Sequence, residues 1–467
     1  MQPTNKNLSA WATLWFALSA VLSFHLAYTI KNCQIWVVVF LYCLFRLANV
    51  PTSRRAFYIG LGIGLAIYAP QLSFFWTVFQ AGAIPLWLIL SFWLGLFLLL
   101  GSVCRMRFGV VGWACVSPFI WTGLEYSRSE LGYLRFSWLS AGYAFSDSSS
   151  LHYWACYGVY GIGFVLMTVA ALLGVVRILG WFGRILAGIG AALLLLYPAI
   201  APAPQNSARQ SPRITGVQLE SQWPAGAALA LDQAVAKYPE SDLLVLSEYS
   251  FNGPIPDLIK KWCRKYRKYL VAGGEDPVSA SQYYNTAFVI SPDGDIVFRQ
   301  VKCVPVQFMK DGLPASKQAL WDSPWGKLGF GICYDASYTR VTDELIRQGA
   351  QGLVFPTMDA AAWGIRQHQL HARIAPMRAA EYGVPVFRLC SSGISQFVGP
   401  SGQVLESAPF PGQGAIMSAS MQLVNRGRMP PDRWLAPASV GITVALSAWL
   451  AIDCVRRRFV KSTVAAK

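Results

Sequence analysis

The sequence has little charge. Of its 467 residues only 13% are charged and 54% are hydrophobic, whereas soluble globular domains carry about 25% charged residues. So few charges cannot cover a water-facing surface, which argues against a purely soluble protein. Among the charged residues, the acidic ones are fewer, with 23 Asp and Glu against 39 Lys and Arg. Aromatic residues make up 14% of the chain, which excludes a disordered protein.

Long hydrophobic runs divide the chain into three parts. A helix that crosses a bilayer needs about 20 predominantly apolar residues. The runs predict a transmembrane helical domain over 1–201 with seven spans, a water-soluble domain over 202–430, and a final span with a basic tail over 431–467. The Pro-rich segment 201–204 is the predicted linker. The eight predicted spans lie near 10–30, 34–49, 56–78, 84–104, 109–127, 157–178, 182–201 and 434–454.

Basic residues in short loops predict the orientation in the membrane. Arg54 and Arg55 follow the second predicted span and Arg105 and Arg107 follow the fourth, whereas the loop 79–83 has no charge. This alternation places the N-terminus in the cytoplasm, and seven spans then place the soluble domain outside it. The net charge of +16 is therefore explained by topology and by attraction to anionic membrane lipid, not by nucleic acid.

The ten cysteines include no CxxC pair and no zinc-binding spacing. Four of them, Cys263, Cys303, Cys333 and Cys390, lie in the soluble domain. Because disulfides form outside the cytoplasm, a pair among Cys263, Cys303 and Cys390 is left open.

Two histidines raise the question of a metal site. His368 and His371 are three residues apart and face one side of a predicted helix, and Glu381 follows on the chain. No third ligand stands at a suitable spacing, so packing roles are favoured and no metal is expected.

The soluble domain alternates short apolar runs with helical stretches, which is typical of an α/β domain with mixed sheets. An Asp-Gly pair at 293–294 lies between two apolar runs and predicts a tight hairpin. Strands are predicted at 214–219, 243–246, 270–273, 285–290, 295–298, 327–333, 352–355 and 384–389, and helices at 226–238, 256–268, 339–349 and 366–382.

Three residues able to support catalysis follow predicted strands. Glu248 comes just after one buried run, Lys302 follows the 285–298 hairpin, and Cys333 ends a third strand. Polar residues at the carboxyl ends of buried strands are where α/β sites collect. A cysteine there becomes a nucleophile when a base removes its proton and a cation stabilises the negative charge. Glu248 is the candidate base, and Lys302 is the candidate cation.

A wider set of motifs accompanies these three residues in a fixed order. The set resembles the nitrilase superfamily, and specifically its membrane-bound branch, the bacterial apolipoprotein N-acyltransferases. The motifs are Phe136-Ser137-Trp138-Leu139, Ser247-Glu248, Tyr284-Asn285-Thr286-Ala287, Pro292-Asp293-Gly294, Lys302, Gly331-Ile332-Cys333-Tyr334, Gln367-His368, Met377-Arg378-Ala379 and Ser392-Gly393.

The resemblance implies a fold, a reaction and a location. It implies an αββα sandwich on a bundle of about eight spans, with Glu248, Lys302 and Cys333 as the catalytic triad and no cofactor or metal. The reaction implied is ping-pong transfer of a fatty acyl group from a phospholipid, through a Cys333 thioester, to the amine of a diacylglyceryl-cysteine lipoprotein. The location implied is the bacterial inner membrane, as a multi-pass protein in contact with membrane lipids, with its catalytic domain on the periplasmic side.

The sequence departs from the pattern of this family at three places. Leu246-Ser247 stands where Trp-Pro precedes the catalytic Glu. Lys310 stands where the family has a Glu that orients the catalytic Lys, and Asp311, one place further, is the candidate to replace that Glu. Asp335 replaces a Glu two residues after the catalytic Cys. These departures leave the triad in place but leave the acceptor open.

Four further residues are candidates for substrate binding, namely Tyr334, Asp335, Trp363 and Ser392. Tyr334 adjoins the nucleophile, and Trp363 lies in a small-residue stretch suited to a membrane-facing lid. Three alternatives to the lipoprotein reaction stay open: a membrane-anchored amidase, an acyltransferase with another amine acceptor, and a non-catalytic lipid-binding or assembly protein. Seven anchoring spans are more than a soluble substrate requires, which favours a lipid substrate.

Overall fold

A computed structural model of the chain describes residues 7–200, 205–207, 211–220, 223–412 and 414–465. The predicted linker at 201–204 lies outside the described residues. All ten cysteines are described and none is paired, so the disulfide that the sequence left open is not formed.

Most residues from 10 to 200 lie in helices, as their hydrophobic runs predict. Ser9 begins the first helix by accepting a hydrogen bond from the Ala12 N–H at 3.2 Å, which satisfies one of the free donors at a helix start. The helices are α1 (Ala10–Thr29), α2 (Trp36–Leu47), α3 (Ser53–Gln71), α4 (Phe74–Phe79), α5 (Ala83–Glu130), α6 (Leu151–Trp154), α7 (Val159–Val175) and α8 (Trp181–Ile200).

Several helices are long and apolar enough to cross a membrane. Among the described residues four stretches qualify by length and composition, and a fifth qualifies if the bent pair Leu151–Tyr157 and Val159–Val175 is one span. The predicted span 34–49 is shorter in the structure, because α2 has 12 residues and a length of about 18 Å. The four stretches are Ala10–Thr29, Phe74–Glu130, Trp181–Ile200 and Asp432–Arg457.

The predicted spans 84–104 and 109–127 both fall on α5, which is broken at Gly109. This glycine has a φ of +71°, a conformation that interrupts a helix. Phe97 and Trp121 are 24 residues apart, about 36 Å along a straight helix, yet their ring centroids are 5.3 Å apart. The chain therefore reverses near Gly109, and the two halves of α5 pack against each other as a hairpin.

Between residues 205 and 420, the part of the chain that the structure describes contains twelve strands in two six-stranded sheets. The strands are β1 (Arg213–Val217), β2 (Leu243–Val245), β3 (Tyr269–Pro277), β4 (Tyr283–Ile290), β5 (Ile296–Val301), β6 (Leu320–Asp322), β7 (Lys327–Phe330), β8 (Gly352–Thr357), β9 (Val386–Cys390), β10 (Ser395–Val398), β11 (Val404–Ala408) and β12 (Ile416–Ser420). The first sheet has the order β12-β1-β2-β3-β4-β5 and the second has the order β11-β10-β9-β8-β7-β6.

The two sheets pack face to face between helices. A Cβ added to Gly216 of β1 would lie 2.5 Å from the Leu389 side chain of β9, so a larger residue there would displace that side chain. The first sheet is covered by α9 (Pro224–Lys237) and α10 (Asp257–Tyr266), and the second by α11 (Thr339–Arg347), α12 (Ile365–Ala372) and α13 (Ile374–Tyr382). This arrangement is an αββα sandwich. The chain then ends in α14 (Asp432–Ala465).

The predicted helix at 366–382 is two helices in the structure. α12 ends at Ala372 and α13 begins at Ile374. Pro376 lacks the N–H that would pair with the carbonyl of Ala372 in a continuous helix, and its ring would clash there. The break is therefore dictated by a single proline.

A buried group of charges joins the sandwich to the helical region. Arg433 at the start of α14 contacts Asp343, Asp432 and Glu381 at 2.7, 2.6 and 3.0 Å. The same carboxylates accept N–H groups from the first turn of α7: Asp432 from Tyr160 at 2.9 Å and Glu381 from Val159 at 3.2 Å. Carboxylates are favourable at a helix N-terminus. We call this group the junction cluster, and it consists of Asp343, Arg378, Glu381, Asp432 and Arg433.

Candidate active site

Cys333 stands at a sharp turn between a strand and a helix. It follows β7 by three residues and begins the short 3₁₀ helix Cys333–Ser337. Its φ is +49°, a conformation that costs energy for any residue other than glycine. Strained residues held at strand-to-helix turns are typical of catalytic nucleophiles. The side chain is 6% exposed, and its Sγ lies 3.6 Å from the carbonyl oxygen of Met358.

Glu248 lies three residues after β2 and is held at both carboxylate oxygens. Oε1 accepts hydrogen bonds from Lys302 Nζ at 2.8 Å and from Asn285 Nδ2 at 2.6 Å. Oε2 accepts the backbone N–H of Met358 at 2.8 Å. Met358 therefore contacts Glu248 through its N–H and Cys333 through its carbonyl, which brings these two residues to one place.

Lys302 directly follows β5 and lies between two carboxylates. Its Nζ is 2.8 Å from Glu248 and 2.7 Å from Asp311. Asp311 is fixed in turn by Asn285 at 2.9 Å and by the Val306 N–H at 2.7 Å. The structure thus places Asp311 where the sequence expects an orienting carboxylate.

Lys310, the neighbour of Asp311, points elsewhere. Its side chain is exposed, and its Nζ lies 5.7 Å from the ring centroid of Tyr283. The substitution that most clearly departs from the family pattern therefore leaves the catalytic residues unaffected in this structure.

Burial determines the protonation of the resting site. It raises the pKa of the Cys333 thiol well above its ordinary value, and the charge on Glu248 adds to this against the opposing effect of Lys302. Burial also raises the pKa of Glu248, against Lys302. For Lys302 burial alone would lower the pKa, but Glu248 and Asp311 outweigh it and raise the pKa. A charged lysine therefore stands beside a neutral thiol in the resting site.

Asp335 positions two loops. Its carboxylate accepts the backbone N–H groups of Ile332 at 2.9 Å, Cys303 at 3.0 Å and Val304 at 2.8 Å. It thereby ties the turn before Cys333 to the segment after Lys302. Burial raises its pKa to about 6. Asp335 is not among the residues that line the cavity described next, so its contact with a substrate stays a prediction.

Cys333 faces a cavity that both parts of the protein enclose. The cavity has a volume of about 110 Å³ and opens to the outside at its mouth. Tyr334 and Trp363 line it, and their contact with a substrate stays a prediction, whereas Ser392 is buried away from it. Its apolar wall comes from the helical region and includes Phe74, Phe75, Val78, Phe79, Leu86 and Leu90.

Sequence reasoning assigned no role to several residues that the structure brings to this site. Asn285 belongs to a recognised motif, but only the fold shows that its amide bridges Glu248 and Asp311. Asp359 and His371 meet at 2.7 Å beside the cavity, although the sequence suggests packing for the histidine. Among the described residues no group of three or more His, Cys, Asp or Glu side chains could hold a metal.

Fold and site together define a class: a cysteine enzyme of the carbon-nitrogen hydrolase type, joined to a helical region with apolar spans. The Carbon-nitrogen hydrolase family matches residues 223–430, and the Apolipoprotein N-acyltransferase N-terminal domain matches residues 17–172. The chain belongs to the apolipoprotein N-acyltransferase family and is an N-acyltransferase by class.

Two curated relatives agree with this assignment. An apolipoprotein N-acyltransferase of Geobacter metallireducens is 25% identical, and the match covers 79% of this chain and 82% of that protein. One of Haemophilus ducreyi is 25% identical over 69% and 72%. An omega-amidase of Xenopus laevis is 26% identical over 37% of this chain and 67% of its own. The solved nitrilase-superfamily protein Nit3 of Saccharomyces cerevisiae is 21% identical, with a TM-score of 0.41, over 47% of this chain and 93% of that chain.

Proposed function

We propose that this protein transfers a fatty acyl group from a phospholipid to the N-terminal amine of a diacylglyceryl-cysteine lipoprotein. One observation carries the proposal. Cys333, the proposed nucleophile beside Glu248 and Lys302, lines a cavity whose apolar wall is made by helices of the membrane part. A site for small soluble amides has no need of such a wall, whereas a fatty acyl chain is stabilised by it.

The first half-reaction forms a thioester. Sγ of Cys333 attacks the ester carbonyl of the phospholipid while Glu248 accepts the thiol proton. When the C–O bond breaks, Glu248 returns that proton to the departing oxygen and a lysophospholipid leaves. Lys302 has three N–H donors and gives two of them to carboxylates, so one is left for the oxyanion. We assign the second oxyanion donor to the backbone N–H of Tyr334.

The second half-reaction releases the acyl group as an amide. The acceptor amine attacks the thioester carbonyl, the C–N bond forms and the C–S bond breaks. Glu248 accepts a proton from the amine nitrogen and passes it to the Cys333 sulfur, which restores the resting site. No cofactor or metal is needed, because each half-reaction only exchanges one bond to the acyl carbon for another.

The same proposal includes the side of the membrane on which the sandwich lies. Eight spans with a cytoplasmic N-terminus would place the sandwich on the periplasmic face of a bacterial inner membrane. Both substrates are lipids, and moving an acyl chain out of a bilayer costs about 0.8 kcal/mol per CH₂ group. A cavity walled by membrane helices allows the acyl chain to reach Cys333 without crossing water.

Mass spectrometry of the intact protein tests the proposal. After the purified protein is incubated with phosphatidylethanolamine, its mass should rise by one fatty acyl group, on Cys333, with release of lysophospholipid. A diacylglyceryl-cysteine peptide should then remove the adduct and gain an amide-linked chain. Cys333→Ala should form no adduct. Absence of an adduct on the wild-type protein would overturn the proposal.

An amidase is the second candidate, and the likeness to omega-amidases over about a third of the chain favours it. The two candidates differ in the leaving group. Release of ammonia from small amides at a rate above that of acyl transfer would identify an amidase. We expect acyl transfer to dominate, because the cavity beside Cys333 is mostly apolar.

A further inference from the structure

One polar ring lies in the wall of the cavity without a partner for one of its nitrogens. His371 is 1% exposed, lines the same cavity as Cys333, and stacks on Trp138 with ring centroids 4.6 Å apart and an angle of 14° between the planes. Its Nδ1 lies 2.7 Å from Oδ1 of Asp359. Its Nε2 has no hydrogen-bond partner within the described part of the chain. A buried polar atom of this kind calls for an explanation.

Asp359 determines which nitrogen carries the proton. Its carboxylate also accepts hydrogen bonds from Arg388 at 2.6 Å and Gln367 at 2.9 Å. Although burial opposes it, His371 and Arg388 lower the pKa of Asp359 well below its ordinary value, so this group is an anion. A carboxylate anion can only accept a hydrogen bond, so Nδ1 carries the proton and donates it, and Nε2 is left with a lone pair. Burial lowers the pKa of His371 to about 4, which keeps the ring neutral at neutral pH.

The pair of Asp359 and His371 is connected to Cys333 through the neighbouring residue Met358. Met358, which precedes Asp359, contacts Cys333 through its carbonyl and Glu248 through its N–H. His371 lines the cavity and is held through Asp359 to the segment that contacts Cys333 and Glu248. Most residues around the rest of the cavity are apolar, so few other groups there accept hydrogen bonds.

We propose that Nε2 of His371 accepts a hydrogen bond from the attacking primary amine and holds its lone pair toward the thioester carbon. This inference rests on the proposed function and names the residue that recognises the acceptor. A primary amine brings N–H groups into the cavity, whereas the reacting ester of a phospholipid has only acceptor oxygens. His371 should therefore act in the second half-reaction and leave the first unaffected.

Two substitutions separate this role from a structural one. Asn at 371 places an amide N–H near the position of Nδ1, so it preserves the contact with Asp359 and removes the acceptor at Nε2. Gln places its amide near the position of Nε2 and loses the contact with Asp359. If the acceptor atom matters, His371→Gln should retain more transfer than His371→Asn. If only the contact with Asp359 matters, the order should be reversed.

The experiment measures the two half-reactions separately on the full-length protein. Phosphatidylethanolamine first loads Cys333, and the rate of adduct formation is read by mass. A synthetic diacylglyceryl-cysteine peptide is then added, and the rate of adduct loss is measured. We expect His371→Asn to load within about twofold of wild type and to transfer about 10- to 100-fold more slowly, because an N–H donor is left unpaired.

His368 provides the matched control. It is buried three residues earlier on the same helix, stacks on Phe410 with centroids 4.1 Å apart, and does not line the cavity. His368→Asn should leave the ratio of the transfer rate to the loading rate unchanged.

The outcomes are distinguishable. Normal transfer in His371→Asn, or an equal loss of loading and transfer, would overturn the role of His371 while the proposed function stands. A wild-type protein that never loads would overturn the proposed function and this inference with it.

Discussion

The protein buries two clusters of charged side chains, and the clusters differ in what they leave unpaired. In the junction cluster every guanidinium nitrogen of Arg378 and Arg433 has a hydrogen-bond partner. In the catalytic cluster, which consists of Glu248, Lys302, Asp311 and Cys333, Lys302 gives two of its three donors to carboxylates. The Cys333 sulfur has only a long contact of 3.6 Å to a carbonyl.

This difference suggests that the junction cluster serves the stability of the fold, whereas the catalytic cluster serves the reaction. When a buried charged group has all its hydrogen-bond partners, removing one partner leaves the remaining charges buried and unpaired, which lowers the stability of the fold. A catalytic group has to keep some bonding capacity for the charge that develops during the reaction. We therefore expect substitutions in the catalytic cluster to reduce rate more than stability, and substitutions in the junction cluster to do the reverse. The predictions below test this contrast.

The largest effect is expected for Glu248→Gln. Gln has nearly the shape of Glu and still accepts a hydrogen bond from Lys302, but it cannot remove the thiol proton. Loss of a general base lowers rates by about 10²- to 10⁴-fold. Formation of the Cys333 adduct should fall by that factor, while the thermal unfolding midpoint moves by only a few degrees. Loading at the wild-type rate would show that Glu248 is not the base.

The next effect is on stability and is expected for Arg433→Met. This change leaves Asp343, Glu381 and Asp432 buried without their shared cation. Breaking a buried pair by removing one partner costs about 3–5 kcal/mol. The thermal midpoint in detergent should fall steeply, while the loading rate per folded molecule stays within a few-fold of wild type.

Arg347→Met is the matched control for the junction. Arg347 also faces Asp343, but at 3.7 Å and with 56% of its side chain exposed. An exposed pair of this kind is worth at most about 1 kcal/mol. If both arginine variants lowered the midpoint equally, the junction cluster would have no special role in stability.

The sequence predicted the triad because each member follows a strand, and strand ends can be recognised locally. It also predicted the hairpin at 285–298, which the structure forms as β4 and β5. The junction cluster could not be found in this way. Asp343, Glu381 and Arg433 lie on three separate helices and share no spacing, so only the packing of the sandwich on α7 brings them together.

A smaller effect is expected for Asp311→Asn, and it has a pH signature. Asp311 raises the pKa of Glu248, although less than burial does. Removing its charge therefore lowers the pKa of Glu248, and the base stays ionised at more acidic pH. The acid limb of the loading rate should move to lower pH, while the rate at neutral pH falls about 10-fold because Lys302 loses an orienting partner. An acid limb that moves to higher pH would contradict this coupling.

The orienting carboxylate shows where sequence reasoning reaches its limit. The spacing of the family motif points to position 310, where this chain has a lysine, and the sequence offers Asp311 only as a candidate to replace the Glu. In the structure the orienting carboxylate comes from the next residue. The chain turns so that Asp311 lies 2.7 Å from Lys302. The conformation of residues 305–311 depends on contacts such as that of the Val306 N–H with Asp311, which no local pattern reveals.

The smallest effect is expected for Lys310→Ala. Lys310 is exposed and contacts the Tyr283 ring rather than the catalytic cluster, and surface substitutions usually change free energies by less than about 0.5 kcal/mol. Loading rate and thermal midpoint should therefore match wild type within about twofold and a few degrees. A more stringent test is the double variant that combines Lys310→Glu with Asp311→Asn. Because the side chain of residue 310 points away from Lys302, the new carboxylate should not restore loading. Restoration would mean that the segment can shift its register to bring either position against Lys302.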